Sequence, residues 1–133
     1  MHTDLITLHE QAVQAHPRMR AFWDATAEHR FLIPHCQDCD RSHWYPRPHC
    51  PHCFSSAVTW RPAHGTGSIY AATTLRRELP PRIIAYIELT EGPLMLSNLV
   101  DCTLADATIG RRVWVCFQTL PSGRVLPVFR LDG

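Results

Sequence analysis

The clearest pattern in the chain is strict alternation near its C-terminal end. From Arg112 to Gln118, Val113, Val115 and Phe117 share one face while Trp114 and Cys116 share the other, which predicts a strand. Four further runs read the same way. Ser68 to Leu75 is rich in β-formers (Ile69, Tyr70, Thr73, Thr74), and Arg82 to Leu89, Leu94 to Val100 and Val125 to Leu131 are short apolar stretches bounded by turn signals. The turns are Arg76 to Pro81, Glu91-Gly92-Pro93 and Pro121-Ser122-Gly123. The connection from Asp101 to Gly110 is long enough for one helical turn, capped by Asp101 or Thr103. Strands this short, about five in about 65 residues, with one longer connection between the third and fourth, predict a small closed barrel of the OB type.

The first half is patterned differently. From Arg18 to His29 the residues Met19, Phe22, Trp23 and Thr26 fall at helical spacing, putting two large aromatics on one face. Two readings stay open for that face: packing against the rest of the chain, or an anchor for a partner made of Met19, Phe22 and Trp23. Residues 1–17 are a separate N-terminal extension in which Leu5, Leu8, Ala12 and Val13 are roughly helix-spaced up to Pro17.

Between these regions lie Cys36-Gln-Asp-Cys39 and Cys50-Pro-His-Cys53, two C-x-x-C pairs ten residues apart. Each pair can wrap into a knuckle that points two sulfurs at one ion, and the intervening residues suffice for a returning hairpin. Phe31 to Ile33 predicts the strand entering the first knuckle, Ser42 to Tyr45 the returning strand, and Val58 to Trp60 the strand leaving the ribbon. Four thiolates suit a structural Zn²⁺ and leave no open coordination position; iron is the alternative. His35, His43, His49 and His52 lie among the cysteines and read as surface or supporting groups rather than ligands. The residue after each knuckle is expected to need a left-handed backbone, which Asp40 tolerates better than Phe54.

The predicted fold is mostly β: an N-terminal helix and rubredoxin-like zinc ribbon over residues 18–63, then a five-stranded OB-fold barrel over residues 64–133 beginning at His64-Gly65-Thr66-Gly67. Composition narrows the function. A net charge of +1 gives no strong field for nucleic-acid backbones, and all 13 basic residues are arginine, which excludes Schiff-base lysine chemistry in this chain. No apolar run reaches about 18 residues, so no membrane span is expected. Metal-spaced cysteines behind an N-terminus without a secretion pattern point to the cytoplasm. Cys102 and Cys116 read as small apolar core residues, and the C-terminal module holds a single candidate base, His64.

Taken in order, Phe22-Trp23, the four cysteines, Tyr45-Pro46-Arg47 and Gly65-Thr66-Gly67-Ser68-Ile69-Tyr70 form a recognisable set. Glu91-Gly92-Pro93-Leu94, Ser97-Asn98-Leu99-Val100, Ile109-Gly110 and Leu126-Pro127-Val128-Phe129 continue it. The chain from about Met19 to Asp132 resembles the zinc-ribbon/OB-fold proteins associated with acyl-CoA thiolases, hydroxymethylglutaryl-CoA synthases and thiolase-like aldolases. Two departures are a short loop at Leu75 to Pro81 and Phe54 where a small residue is usual. The resemblance implies a non-catalytic accessory subunit of a hetero-oligomer, which docks on a thiolase-like enzyme and helps bind or channel its acyl-CoA. Arg47, Arg76 and Arg77 are the candidate contacts to a coenzyme A thioester. Two rivals are a single-stranded nucleic-acid-binding protein, against which the near-neutral charge counts, and a rubredoxin-like electron carrier.

Overall fold

A computed structural model of the chain describes residues 17–77 and 80–132. The helix-spaced Leu5, Leu8, Ala12 and Val13 lie outside the described residues. The described chain opens with a 3₁₀ turn, Pro17–Met19, that runs into helix α1, Arg20–Ala27. The helix is shorter than its periodicity predicts because His29 turns left-handed at φ 58°. That conformation lets the His29 N–H donate to the Thr26 carbonyl at 2.9 Å and the Arg30 N–H to the Ala25 carbonyl at 2.8 Å. These two bonds form a Schellman closure that satisfies the last carbonyls and stops the helix.

Strands β1 (Leu32–Cys36), β2 (Arg41–Ser42) and β3 (Val58–Pro62) form an antiparallel ribbon in the order β2-β1-β3. The returning strand ends at Ser42 rather than reaching Tyr45. Trp44 instead packs its ring on Phe22, centroid to centroid 5.1 Å. Phe31 and Trp60 approach Phe22 as well, at 6.4 and 6.3 Å.

β4 (Thr66–Leu75), β5 (Arg82–Leu89), β6 (Leu94–Leu99), β7 (Arg112–Thr119) and β8 (Val125–Leu131) close a barrel in the order β4-β5-β6-β8-β7. Every junction is antiparallel except β6–β8, where Leu99 faces Phe129 in parallel and the Val100 N–H donates to the Phe129 carbonyl at 2.9 Å. Alternation sets the faces: Ala85, Ile87 and Leu89 point inward from β5 and Met95, Ser97 and Leu99 from β6, while Tyr86, Leu94 and Leu96 point out. A bulge between Ile69 and Ala71 leaves Tyr70 unpaired and exposed and lets β4 turn with the barrel wall. Closure also needs Gly67, where a Cβ would stand 2.5 Å from the Glu88 carbonyl oxygen. The connection Asp101 to Gly110 holds turns rather than a helix. Thr103 closes the first of these turns, its Oγ1 accepting from the Asp106 N–H at 3.3 Å, with no helix there for it or Asp101 to cap.

One buried cluster runs through both halves. Met19, Phe22, Phe31 and Ile33 join Ile69, Ile87, Leu99, Val113 and Phe129, and the Phe31 and Phe129 rings meet edge to face at 6.2 Å. The ribbon and barrel are therefore held together by apolar contact as well as by the chain.

Candidate metal centre

The end of β1 delivers Cys36, and the loops on either side of the hairpin deliver the other three cysteines. The Sγ atoms of Cys36, Cys39, Cys50 and Cys53 all lie within 4.8 Å of one another, with Cys36–Cys53 at 3.6 Å and Cys39–Cys50 at 3.7 Å. A tetrahedron of metal–sulfur bonds of ~2.3 Å has edges of ~3.8 Å, so this donor set fits one four-coordinate thiophilic ion. Cys36 and Cys50 are fully buried, Cys39 is half-buried and Cys53 faces solvent. Both knuckles place the residue after the second cysteine in the left-handed region, Asp40 at φ 57° and Phe54 at φ 64°. Phe54 takes that conformation despite its bulk, with the residue 78% exposed.

The knuckles are bound internally and to each other. In the second, the Phe54 N–H donates to the Cys50 carbonyl at 2.9 Å and the His52 N–H to Cys50 Sγ at 3.3 Å. The Ser55 hydroxyl donates to Asp38 Oδ2, tying the second knuckle to the first. The buried His35 ring bridges Ser42 Oγ at 2.9 Å and Asp40 Oδ1 at 2.8 Å. The thiols form one coupled set. Burial, then hydrogen bonds from the other three thiols, pushes Cys39 up to about 12. For Cys50 burial acts upward too, but the N–H groups of His52 and Cys53 and its thiol contacts outweigh it and bring the thiol down to about 7. A metal ion must displace the protons that remain, so binding here is linked to pH.

None of the four histidines joins the sulfur cluster among the described residues. His49 and His52 are exposed, whereas His35 and His43 are buried. His43 has no hydrogen-bond partner at either ring nitrogen, and burial first, then the charges of His52, Arg47 and His35, holds its pKa below the ordinary histidine value. Nothing in the sequence beyond its place between the knuckles marks His43 for burial.

The other candidate residues are dispersed. Met19 and Phe22 are 7% and 2% exposed and belong to the core, so the helix face that carries them is turned into the chain itself. Trp23 is half-buried, with the Arg124 guanidinium 4.0 Å from its ring centroid. Arg47 lines a cleft of about 710 Å³ between ribbon and barrel, together with Arg41, His43, Arg61, Glu91 and Leu94. Arg76 and Arg77 sit past the far end of β4, about 30 Å of strand from that cleft, so the three arginines do not form one site. Burial, foremost, pushes both the Cys102 and Cys116 thiols up, which suppresses their thiolates. No helix among the described residues is long and apolar enough to cross a membrane.

Comparison with known proteins places this geometry. Residues 23–59 match the family model for the ChsH2 rubredoxin-like zinc ribbon domain, and residues 60–118 that for the ChsH2 C-terminal OB-fold domain. A chain in a structure described as an Ltp2-ChsH2(DUF35) aldolase is 30% identical, with a TM-score of 0.74, and the match covers 86% of this chain and 94% of that one. A DUF35-family protein from Sulfolobus solfataricus shares the fold at a TM-score of 0.64 and 15% identity, over 88% of this chain and 87% of its own. Among curated proteins, the "Probable enoyl-CoA hydratase alpha subunit" of Thermomonospora curvata is 33% identical over 119 residues, 85% of this chain. This chain spans 37% of that relative's length. Two consecutive family models over a four-cysteine ribbon and a closed barrel, with a solved relative matched nearly end to end, establish that the chain belongs to the ChsH2 family of DUF35 proteins.

Proposed function

We propose that this chain is a non-catalytic accessory subunit that docks on a thiolase-like acyl-CoA enzyme in a hetero-oligomer and helps to bind its thioester substrate. A structural Zn²⁺ on Cys36, Cys39, Cys50 and Cys53 holds its ribbon. The observation that carries this reading is the end-to-end match to the family member described with an aldolase. The chemistry of the chain supports it. Four thiolates complete a tetrahedral shell, which leaves no position for a metal-bound substrate or water. The two remaining cysteines are held toward their protonated forms. His64 directs its backbone N–H to Glu91 Oε2 at 2.6 Å, and among the described residues no hydrogen bond pairs its ring with a nucleophile. Zinc is preferred over iron because the family domain is a zinc ribbon and the ion is asked only to hold structure.

The name of the Thermomonospora curvata relative favours a second reading of the partner, an enoyl-CoA hydratase in place of a thiolase-like enzyme. Co-expression with each type of acyl-CoA enzyme subunit, followed by size-exclusion chromatography, tests both. A stable stoichiometric complex with a thiolase-like subunit is the expected result. A complex with the hydratase alone replaces the first reading by the second, and a chain that remains alone in both experiments contradicts the subunit role.

A further inference from the structure

The outer face of β4, β5 and β6 carries a pattern that neither the metal centre nor the core explains. Nine large apolar residues are exposed among the described ones, and four of them, Tyr70, Tyr86, Leu94 and Leu96, lie on this one face. The register brings them together. Tyr86 pairs with Ala71, next to the unpaired Tyr70, on one side and with Leu96 on the other, and Leu94 stands opposite Glu88. A fully exposed Tyr or Leu presents about 200 Å², so exposures of 55%, 47%, 38% and 52% leave on the order of 400 Å² of clustered surface. Single exposed apolar residues need no explanation, whereas a contiguous patch marks a binding surface. A stable interface covers about 800 Å² per partner, a little over half of it apolar, so this patch has the size of one interface centre.

The order of charges along β5 points to what covers it. The outward residues of that strand run Arg82, Ile84, Tyr86, Glu88: a cation, two apolar side chains and an anion. A two-fold axis crossing β5 at Ala85 lays this order onto itself. Arg82 of one copy then meets Glu88 of the other at both ends, and Ile84 meets Tyr86 in the middle. The surface has room for that contact. A hollow of about 220 Å³ is lined by Ala71, Thr73, Ile84, Tyr86 and Leu96, where the axis sets the second copy's Tyr86. Among the described residues Glu88 is in no ion pair. Arg82 donates to Asn98 Oδ1 at 3.3 Å, and a guanidinium with five N–H donors can serve a carboxylate as well.

We propose that the outer face of β4, β5 and β6 binds a second copy of this chain in a two-fold dimer, antiparallel at β5. Tyr86 of each protomer enters the hollow of its partner, and Arg82–Glu88 pairs close both ends. The dimer needs no enzyme to form, so it goes beyond the accessory role and stands apart from it.

The test is sedimentation equilibrium of the full zinc-loaded chain over about 1–100 μM, the range in which a modest interface of this size dissociates. It is repeated with Tyr86→Ser, with Glu88→Arg, with Arg82→Glu and Glu88→Arg combined, and with Phe54→Gly as a control at an exposed apolar residue of the second knuckle. The wild-type chain and Phe54→Gly are expected to sediment as dimers with the same affinity. Tyr86→Ser and Glu88→Arg should each raise the dimer dissociation constant about tenfold or more. The double exchange should return it to within about threefold of wild type, because the reversed charges again face opposites across the axis. Tyr86 and Glu88 are exposed, so the single variants test the face even if the double exchange does not fold. A wild-type chain that stays monomeric, a dimer that Tyr86→Ser leaves unchanged, or a folded double exchange as weak as Glu88→Arg overturns the proposal. A monomeric chain whose complex with an acyl-CoA enzyme subunit is weakened by Tyr86→Ser also overturns it, and gives the face to that enzyme.

Discussion

At Phe54 a bulky residue sits in a conformation that glycine adopts freely, φ 64° with its ring in solvent. A left-handed backbone costs an L-residue roughly 1–2 kcal/mol, and glycine gives back roughly 0.5–1 through the entropy it loses on folding. Phe54→Gly is therefore expected to raise stability by about 0.5–1 kcal/mol, read as a shift in the urea midpoint at unchanged zinc content. The opposite result is expected at Cys50, the fully buried ligand. Cys50→Ser should abolish stoichiometric zinc in elemental analysis and lower the melting temperature, since a structural zinc contributes on the order of 10 kcal/mol of apparent binding free energy. Protons compete for the same sulfurs. Cys39 is pushed up to about 12 by burial and its thiol neighbours, so its proton must leave when metal binds. A group whose proton is displaced by the ligand binds more weakly as pH falls. Zinc affinity, measured against a competing chelator, should decline steadily from about pH 8 to about pH 6.

Helix α1 shows where periodicity succeeds and where it stops. The spacing of Met19, Phe22 and Trp23 correctly marks an amphipathic helix, but it cannot say what the apolar face meets. The structure supplies the answer from positions distant in sequence, because Trp44 and Trp60 of the ribbon and Phe129 of β8 enclose the region around Phe22 and Phe31. Phe22→Ala should thus cost about 3–5 kcal/mol of the chain's own stability, measured by denaturant unfolding. Trp23 is half-buried beside Arg124, and what it leaves exposed is the part of the helix face proposed to meet a partner. Trp23→Ala is expected to weaken the complex at least about tenfold, or about 1.4 kcal/mol, with zinc retained. A lowered melting temperature with unchanged affinity per folded molecule would instead assign Trp23 to internal packing.

Across the whole molecule, the strands and the thiolate set were legible because each rests on local spacing: alternation for the barrel, C-x-x-C for the knuckles. The cleft was not, because it is made by bringing Arg41, His43 and Arg47 of the ribbon against Glu91 and Leu94 of the barrel. Likewise the sequence names Arg47, Arg76 and Arg77 as candidates without relating them in space, and the length of β4 sets the last two apart from the first. The shared core through Phe31 and Phe129 makes the two halves one apolar unit, a property that neither half's pattern announces. The measurement that tests the accessory role most directly is acyl-CoA turnover by the purified zinc-loaded chain, before and after adding its partner subunit. The account predicts no turnover from the chain alone and full activity only in the complex. Turnover by the chain alone, abolished by Cys102→Ala or Cys116→Ala, would contradict it.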